Sequence, residues 1–157
     1  IEGCRADMWV EDRLVAIMRA DHPLARQSRV AFNDLAKEPM VGGEAATGTG
    51  TILRRAFADH LVRAPRYELG STEAVKRAVA AGLGVSVVMR STIERAGDPD
   101  LAVRELEGRR LSKTLWVAIL AGQPSKAPAQ IFRSFLLDVG RNLHTRHVDV
   151  AVADYKS

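Results

Sequence analysis

Residues 66–89 read RYELGSTEAVKRAVAAGLGVSVVM, and this stretch decides the fold class. It opens with a short β-prone run, 66–69, and turns at Gly70-Ser71-Thr72. A helix follows over 73–81, with Ala74, Val75, Ala78 and Val79 along one stripe and Lys76 and Arg77 outside it. Gly82 suits the left-handed residue that closes such a helix. The run 85–89 (VSVVM) is short and mostly β-branched, as a strand covered on both faces requires. Strand, helix and strand in immediate succession call for a largely parallel sheet covered by helices.

The same alternation extends outward. A strand-like run ends the segment 9–18, and Asp21-His22-Pro23 breaks it with a turn. A short helix is predicted over 31–37, a strand over 40–43, and a helix over 51–62 with Ile52, Leu53, Ala56, Phe57 and Leu61 on one side. Ser91-Thr92-Ile93-Glu94 spells a capping box for another short helix. Strands over 101–106 and 111–120 precede a last helix, 128–139. That helix carries Ile131, Phe132, Phe135, Leu136 and Val139 and is expected to stop at Gly140. The tail, 141–157, shows little periodicity. The expected class is α/β, with a mixed, mostly parallel sheet flanked by helices.

Composition narrows the function. At 157 residues the chain makes one domain or one and a fraction, and 46% hydrophobic with 27% charged residues excludes disordered and fibrous classes. No apolar run approaches the ~20 residues needed to span a bilayer. The net charge of +4 is interspersed, with no basic cluster longer than a pair, so a solvated surface is expected rather than a DNA-reading face. A single cysteine, Cys4, permits no internal disulfide, and with no signal-peptide pattern this suggests the cytoplasm.

Open α/β sheets bind ligands beyond the carboxyl ends of their strands. Two strand-to-helix turns have suitable chemistry. In 44–51, Thr47, Thr49 and Thr51 alternate with Gly48 and Gly50, which offers hydroxyls and exposed N–H groups to a small anion. The same threonines would serve as plain helix caps. Gly70-Ser71-Thr72 has similar geometry with fewer donors. His144, His147 and Asp149 mimic metal spacing but fall short of a four-ligand set. No nucleophile elbow, dinucleotide loop or Walker loop is spelled, so neither an enzyme nor a cofactor is expected. The residues alone reach a small-molecule or small-anion binding module.

Beyond that, the blocks Asp12-Arg13-Leu14-Val15 with Asp21-His22-Pro23-Leu24-Ala25, Leu35-Ala36 with Glu38-Pro39, and Glu68 to Lys76 with Val79 to Val85 resemble the effector-binding (substrate-binding) domain of LysR-type transcriptional regulators. The resemblance covers about 130 residues in order and fades near Gly140. It implies a fold similar to type 2 periplasmic solute-binding proteins, with an effector held between two lobes. In that plan residues 1–13 would end the first lobe and cross over. Residues 14–120 would form the second lobe, 121–140 would return with a helix that packs on the largely absent first lobe, and 141–157 would be a tail.

The resemblance further implies a small-molecule effector, a small organic acid or inorganic anion, bound at Glu44, Thr47, Gly48, Thr49 and Ser71. It implies homo-oligomers paired through the strand 66–69 and the helix 73–81, including Tyr67, Lys76 and Arg77, and DNA binding only through a separate helix-turn-helix domain. A stand-alone solute-binding protein of the same fold is the alternative. Two departures stand out. Ala45-Ala46-Thr47 replaces Pro-Gly-Ser, and Gly50 stands where the family often has an arginine, a loss that Arg54 would partly offset.

Overall fold

Leu14, Val15, Ala16, Ile17 and Met18 are consecutive in sequence and all buried, as happens in a strand covered on both faces. They lie in β1 (Cys4–Arg19) of the computed structural model, which describes residues 3–43, 48–57, 66–93, 98–108, 110–122 and 127–153. In chain order there follow β2 (Arg29–Val30), α1 (Phe32–Leu35), β3 (Val41–Gly43), α2 (Gly48–Phe57) and β4 (Tyr67–Leu69). Next come α3 (Thr72–Ala80), β5 (Ser86–Met89), β6 (Leu101–Leu106), β7 (Ser112–Leu120) and α4 (Ala127–Ala153). The 3-10 turns Pro23–Arg26 and Arg90–Thr92 complete the described elements. The class is α/β, as expected.

The chain divides into two units, Asp12–Lys113 and Ile1–Glu11 with Thr114–Ser157. In the larger unit the strand order is β2-β6-β1-β5. Here β1 runs antiparallel to both neighbours, with Leu14 opposite Met89 and Ile17 opposite Val103. The parallel pairings are β2 with β6, β3 with β4, and a bridge from Met40 to Val85 that links the two small groups of strands. The sheet is therefore mixed, but its centre is antiparallel, against the expectation of a mostly parallel one. The alternation of strands and helices reports only strands joined through a helix, such as β3-α2-β4. The partners of β1 come from distant parts of the chain, and no local pattern registers them.

Alternation along β1 places its residues in two cores. Leu14, Ala16 and Met18 join Leu35, Val85, Val87 and Leu106, with Ile52 and Leu53 of α2 packed alongside. Val15 and Ile17 join Val41, Val88 and the α3 stripe of Val75, Ala78 and Val79. That stripe is the one its spacing predicted, although α3 begins and ends one residue earlier than expected. It closes with Gly82 at φ +81°. Gly82 N–H donates to the Val79 carbonyl at 2.9 Å and Leu83 N–H to that of Ala78 at 3.1 Å, the paired bonds of a Schellman motif.

Other boundaries shift for identifiable reasons. The helix predicted over 31–37 is a single turn, α1. The expected capping-box helix at 91–94 is instead the 3-10 turn Arg90–Thr92, because the Ser91 hydroxyl donates to Asp12 rather than capping a helix (Glu94 lies outside the described residues).

In the smaller unit β7 pairs with β1, and Ala121 N–H donates to the Gly3 carbonyl at 2.8 Å. Trp9 Nε1–H donates to the Leu136 carbonyl at 2.7 Å, and Arg133 pairs with Asp7 at 2.5 Å. The helix does not stop at Gly140; α4 continues to Ala153. Gly140 is there for closeness rather than termination, since a Cβ on it would lie 2.6 Å from the Trp9 carbonyl oxygen. Of the five apolar residues singled out on α4, Ile131, Phe132 and Phe135 are exposed, while Leu136 and Val139 are half-buried.

Candidate functional site

Gly43, the last residue of β3, lies opposite Leu69, the last residue of β4, in a parallel pair. The carboxyl ends of the two strands are therefore side by side, and a helix follows each one. The two turns singled out from the sequence leave the sheet from one place, where α/β sheets bind their ligands. The amides of a helix's first turn have no acceptor within the helix, which favours negative charge at both starts.

Glu44 and Thr47 lie outside the described residues, as does the side chain of Arg54. Gly48 is the first residue of α2, and Thr49 follows it, half-buried. Both belong to the helix, which begins three residues earlier than the expected 51, so they sit in its first turn and not in the loop. Ser71 is extended, at φ −147° and ψ 148°, and its Oγ accepts from Ala74 N–H at 3.1 Å. It is the cap of α3. Capping uses the hydroxyl as an acceptor and leaves its proton as a donor.

The polar face of α3 is internally organised. Lys76 Nζ lies 2.7 Å from Glu73 Oε2 and donates to the Thr92 carbonyl at 3.3 Å, with only 14% of its side chain exposed. A hydrogen bond from Lys76, joined by the charges of Lys76 and Arg77, holds the Glu73 carboxyl below its ordinary range. Tyr67 is exposed with the Arg66 guanidinium 5.7 Å from its ring centroid, and Arg77 is exposed. Of the three residues expected at a subunit contact, Tyr67 and Arg77 thus face outward, whereas the Lys76 ammonium is engaged within its own chain.

Sequence reasoning missed Asp12. It is 5% exposed and accepts from Ser91 N–H at 3.2 Å and from Ser91 Oγ–H at 2.5 Å. Its partner is 79 positions away, and no local pattern marks such a pair. The side chains of His144, His147 and Asp149 lie outside the described residues. Among the described residues no cluster of His, Cys, Asp and Glu could hold a metal, and no helix is long and apolar enough to cross a membrane.

Residues 1–141 match the LysR substrate binding domain. The chain belongs to that family. It is 32% identical over 144 residues to the RuBisCO operon transcriptional regulator of Allochromatium vinosum, covering 90% of this chain and 47% of that protein. Its identity to the RuBisCO operon transcriptional regulator of Acidithiobacillus ferrooxidans is 30% over 133 residues, 83% of this chain and 43% of the relative. The chain thus spans under half the length of these LysR-type relatives. Among solved structures it resembles the CcmR regulatory domain of Synechocystis PCC6803, in complex with 2-PG. The TM-score is 0.79 at 32% identity, with 88% of this chain and 68% of the other covered. The periplasmic-binding-protein-like α/β fold expected from the resemblance is therefore the fold of this LysR substrate-binding domain.

Proposed function

We propose that the chain is the ligand-sensing part of a LysR-type transcriptional regulator, which binds a small organic acid or inorganic anion and passes its presence to DNA binding by a separate helix-turn-helix domain. The family match over residues 1–141 carries this reading. The convergence of two helix starts at Gly43 and Leu69 supports the choice of site. In this reading Glu44, Thr47, Gly48, Thr49 and Ser71 contact the effector, and the domain binds rather than catalyses. The regulator works in the cytoplasm as a homo-oligomer, through a face that includes Tyr67, Arg77 and the stem of Lys76. Residues 14–120 act as the second lobe in this plan. The relatives above are named as regulators, which favours this reading over a stand-alone solute-binding protein.

Calorimetry on the regulator that carries this chain tests it, with a panel of small carboxylates and phosphorylated acids that includes 2-PG. One ligand is expected to bind, and Thr47→Val should weaken it roughly three- to tenfold, the equivalent of one net hydrogen bond. The unfolding midpoint should stay in place. Unaltered affinity with lost stability would make the threonine a cap and remove it from the site.

A further inference from the structure

The 3-10 turn Arg90–Thr92 is held from two sides by elements to which it does not belong. On one side is Asp12 of β1, a buried carboxylate that takes both the N–H and the hydroxyl of Ser91, at 3.2 and 2.5 Å. On the other is Lys76 of α3, whose ammonium donates to the Thr92 carbonyl at 3.3 Å while Glu73 steadies it at 2.7 Å. The turn is also braced internally, since Thr92 Oγ1–H donates to the Met89 carbonyl at 2.6 Å. The next residue, Ile93, packs on the cluster that contains Val75 and Val79 of α3 with Val15 and Ile17 of β1.

We infer that this turn is a clasp that ties the position of α3 to the geometry of β1 at Asp12, so that a shift of either element is felt by the other. Breaking either end is unfavourable, because the buried Asp12 carboxylate would lose its Ser91 donors or the Lys76 ammonium one of its two acceptors. A turn braced by its own hydrogen bond moves as one piece. Any displacement of α3 that keeps Lys76 on Thr92 therefore pulls on Ser91, and through it on Asp12. The clasp belongs to the larger unit alone, and the inference stands whether or not the effector reading does. Lys76 and Asp12 are positioning residues in this scheme, and the effect must be reciprocal between them.

Residue-resolved hydrogen exchange on this chain tests the clasp, with Lys76→Met and Asp12→Asn as near-isosteric variants. Lys76→Met is expected to speed exchange at the Ser91 amide and at residues 11–13 of β1 by roughly two- to tenfold, the equivalent of one net hydrogen bond. Asp12→Asn should do the same at the first two turns of α3. The double variant should exchange no faster than the faster single one, because both changes open one coupled element. If Asp12→Asn does not fold, Ser91→Ala replaces it. Acceleration confined to the altered residue's own element would overturn the inference. So would acceleration spread evenly over β5 and β6, and so would rates in the double variant equal to the product of the single effects.

Discussion

A Cβ built on Gly84 would stand 2.0 Å from the carbonyl oxygen of Pro39, and Gly84 itself has φ +150°. The closeness serves a junction. Val85 N–H donates to that same Pro39 carbonyl at 2.9 Å, and Val41 N–H donates to the Val85 carbonyl at 2.8 Å. These bonds make the parallel bridge that joins β3 and β4 to the rest of the sheet, and so fix where the two helix starts of the candidate site lie.

Gly84→Ala should therefore destabilise the protein by about 2–4 kcal/mol, overpacking against backbone and positive φ together. Gly82→Ala is the comparison. Its nearest neighbour is the flexible end of Arg19 at 3.3 Å, so only its φ of +81° counts, at about 1 kcal/mol. Urea midpoints of the two variants measure the difference, and equal losses would contradict the junction argument.

Gly140→Ala should run against helix propensity. In an open helix the change gains about 1 kcal/mol. Here the new methyl would meet Trp9 Cδ1 and the Trp9 carbonyl oxygen, each at 2.6 Å. A net loss of about 1–3 kcal/mol is expected from the overpacking, read from thermal unfolding followed by circular dichroism.

Ile17→Ala should be among the costlier core changes, at about 2–5 kcal/mol. Ile17 is fully buried in the cluster that holds α3 to the sheet. Chemical denaturation measures the loss, and Ile17→Val should cost only about 0.5–1.5 kcal/mol.

The Glu73–Lys76 pair sets a pH dependence. The Glu73 carboxyl titrates below its ordinary value of 4.5 in the folded chain, mainly through its hydrogen bond with Lys76. A depressed carboxylate contributes stability above its unfolded pKa and loses it as pH falls through the folded one. The contribution is therefore expected to be intact at neutral pH and to fade below about 4.5. Carbon-detected NMR titration should show Glu73 returning toward its ordinary value in Lys76→Met. Because the carboxylate is exposed, added salt should shrink the difference.

Much of this architecture could be read along the chain, but unevenly. The α3 stripe and the Gly82 stop are local, written within a few turns of sequence, and the structure repeats them almost residue for residue. Gly140 and Ser91 misled because each carries a local signal, a helix stop and a cap, that a distant partner overrides. Trp9 needs a bare backbone at 140, and Asp12 needs the hydroxyl at 91. The antiparallel centre of the sheet was hidden for the same reason. At the site, the chemistry of the two turns could be read from their composition. Their adjacency could not, because it rests on the register that sets Gly43 beside Leu69.

The hydrogen bond between Trp9 and Leu136 spans 127 positions, whereas the larger unit, Asp12–Lys113, is continuous. During synthesis at ~5–20 residues per second, the larger unit can condense while α4 is still being made. Trp9 leaves the ribosome roughly 6–25 seconds before its acceptor does, by the same rate. Over that interval Trp9 has neither the Leu136 carbonyl nor the close approach of Gly140. The nascent chain therefore passes through a state in which the larger unit is native while the segment around Trp9 is still open to chaperones and proteases.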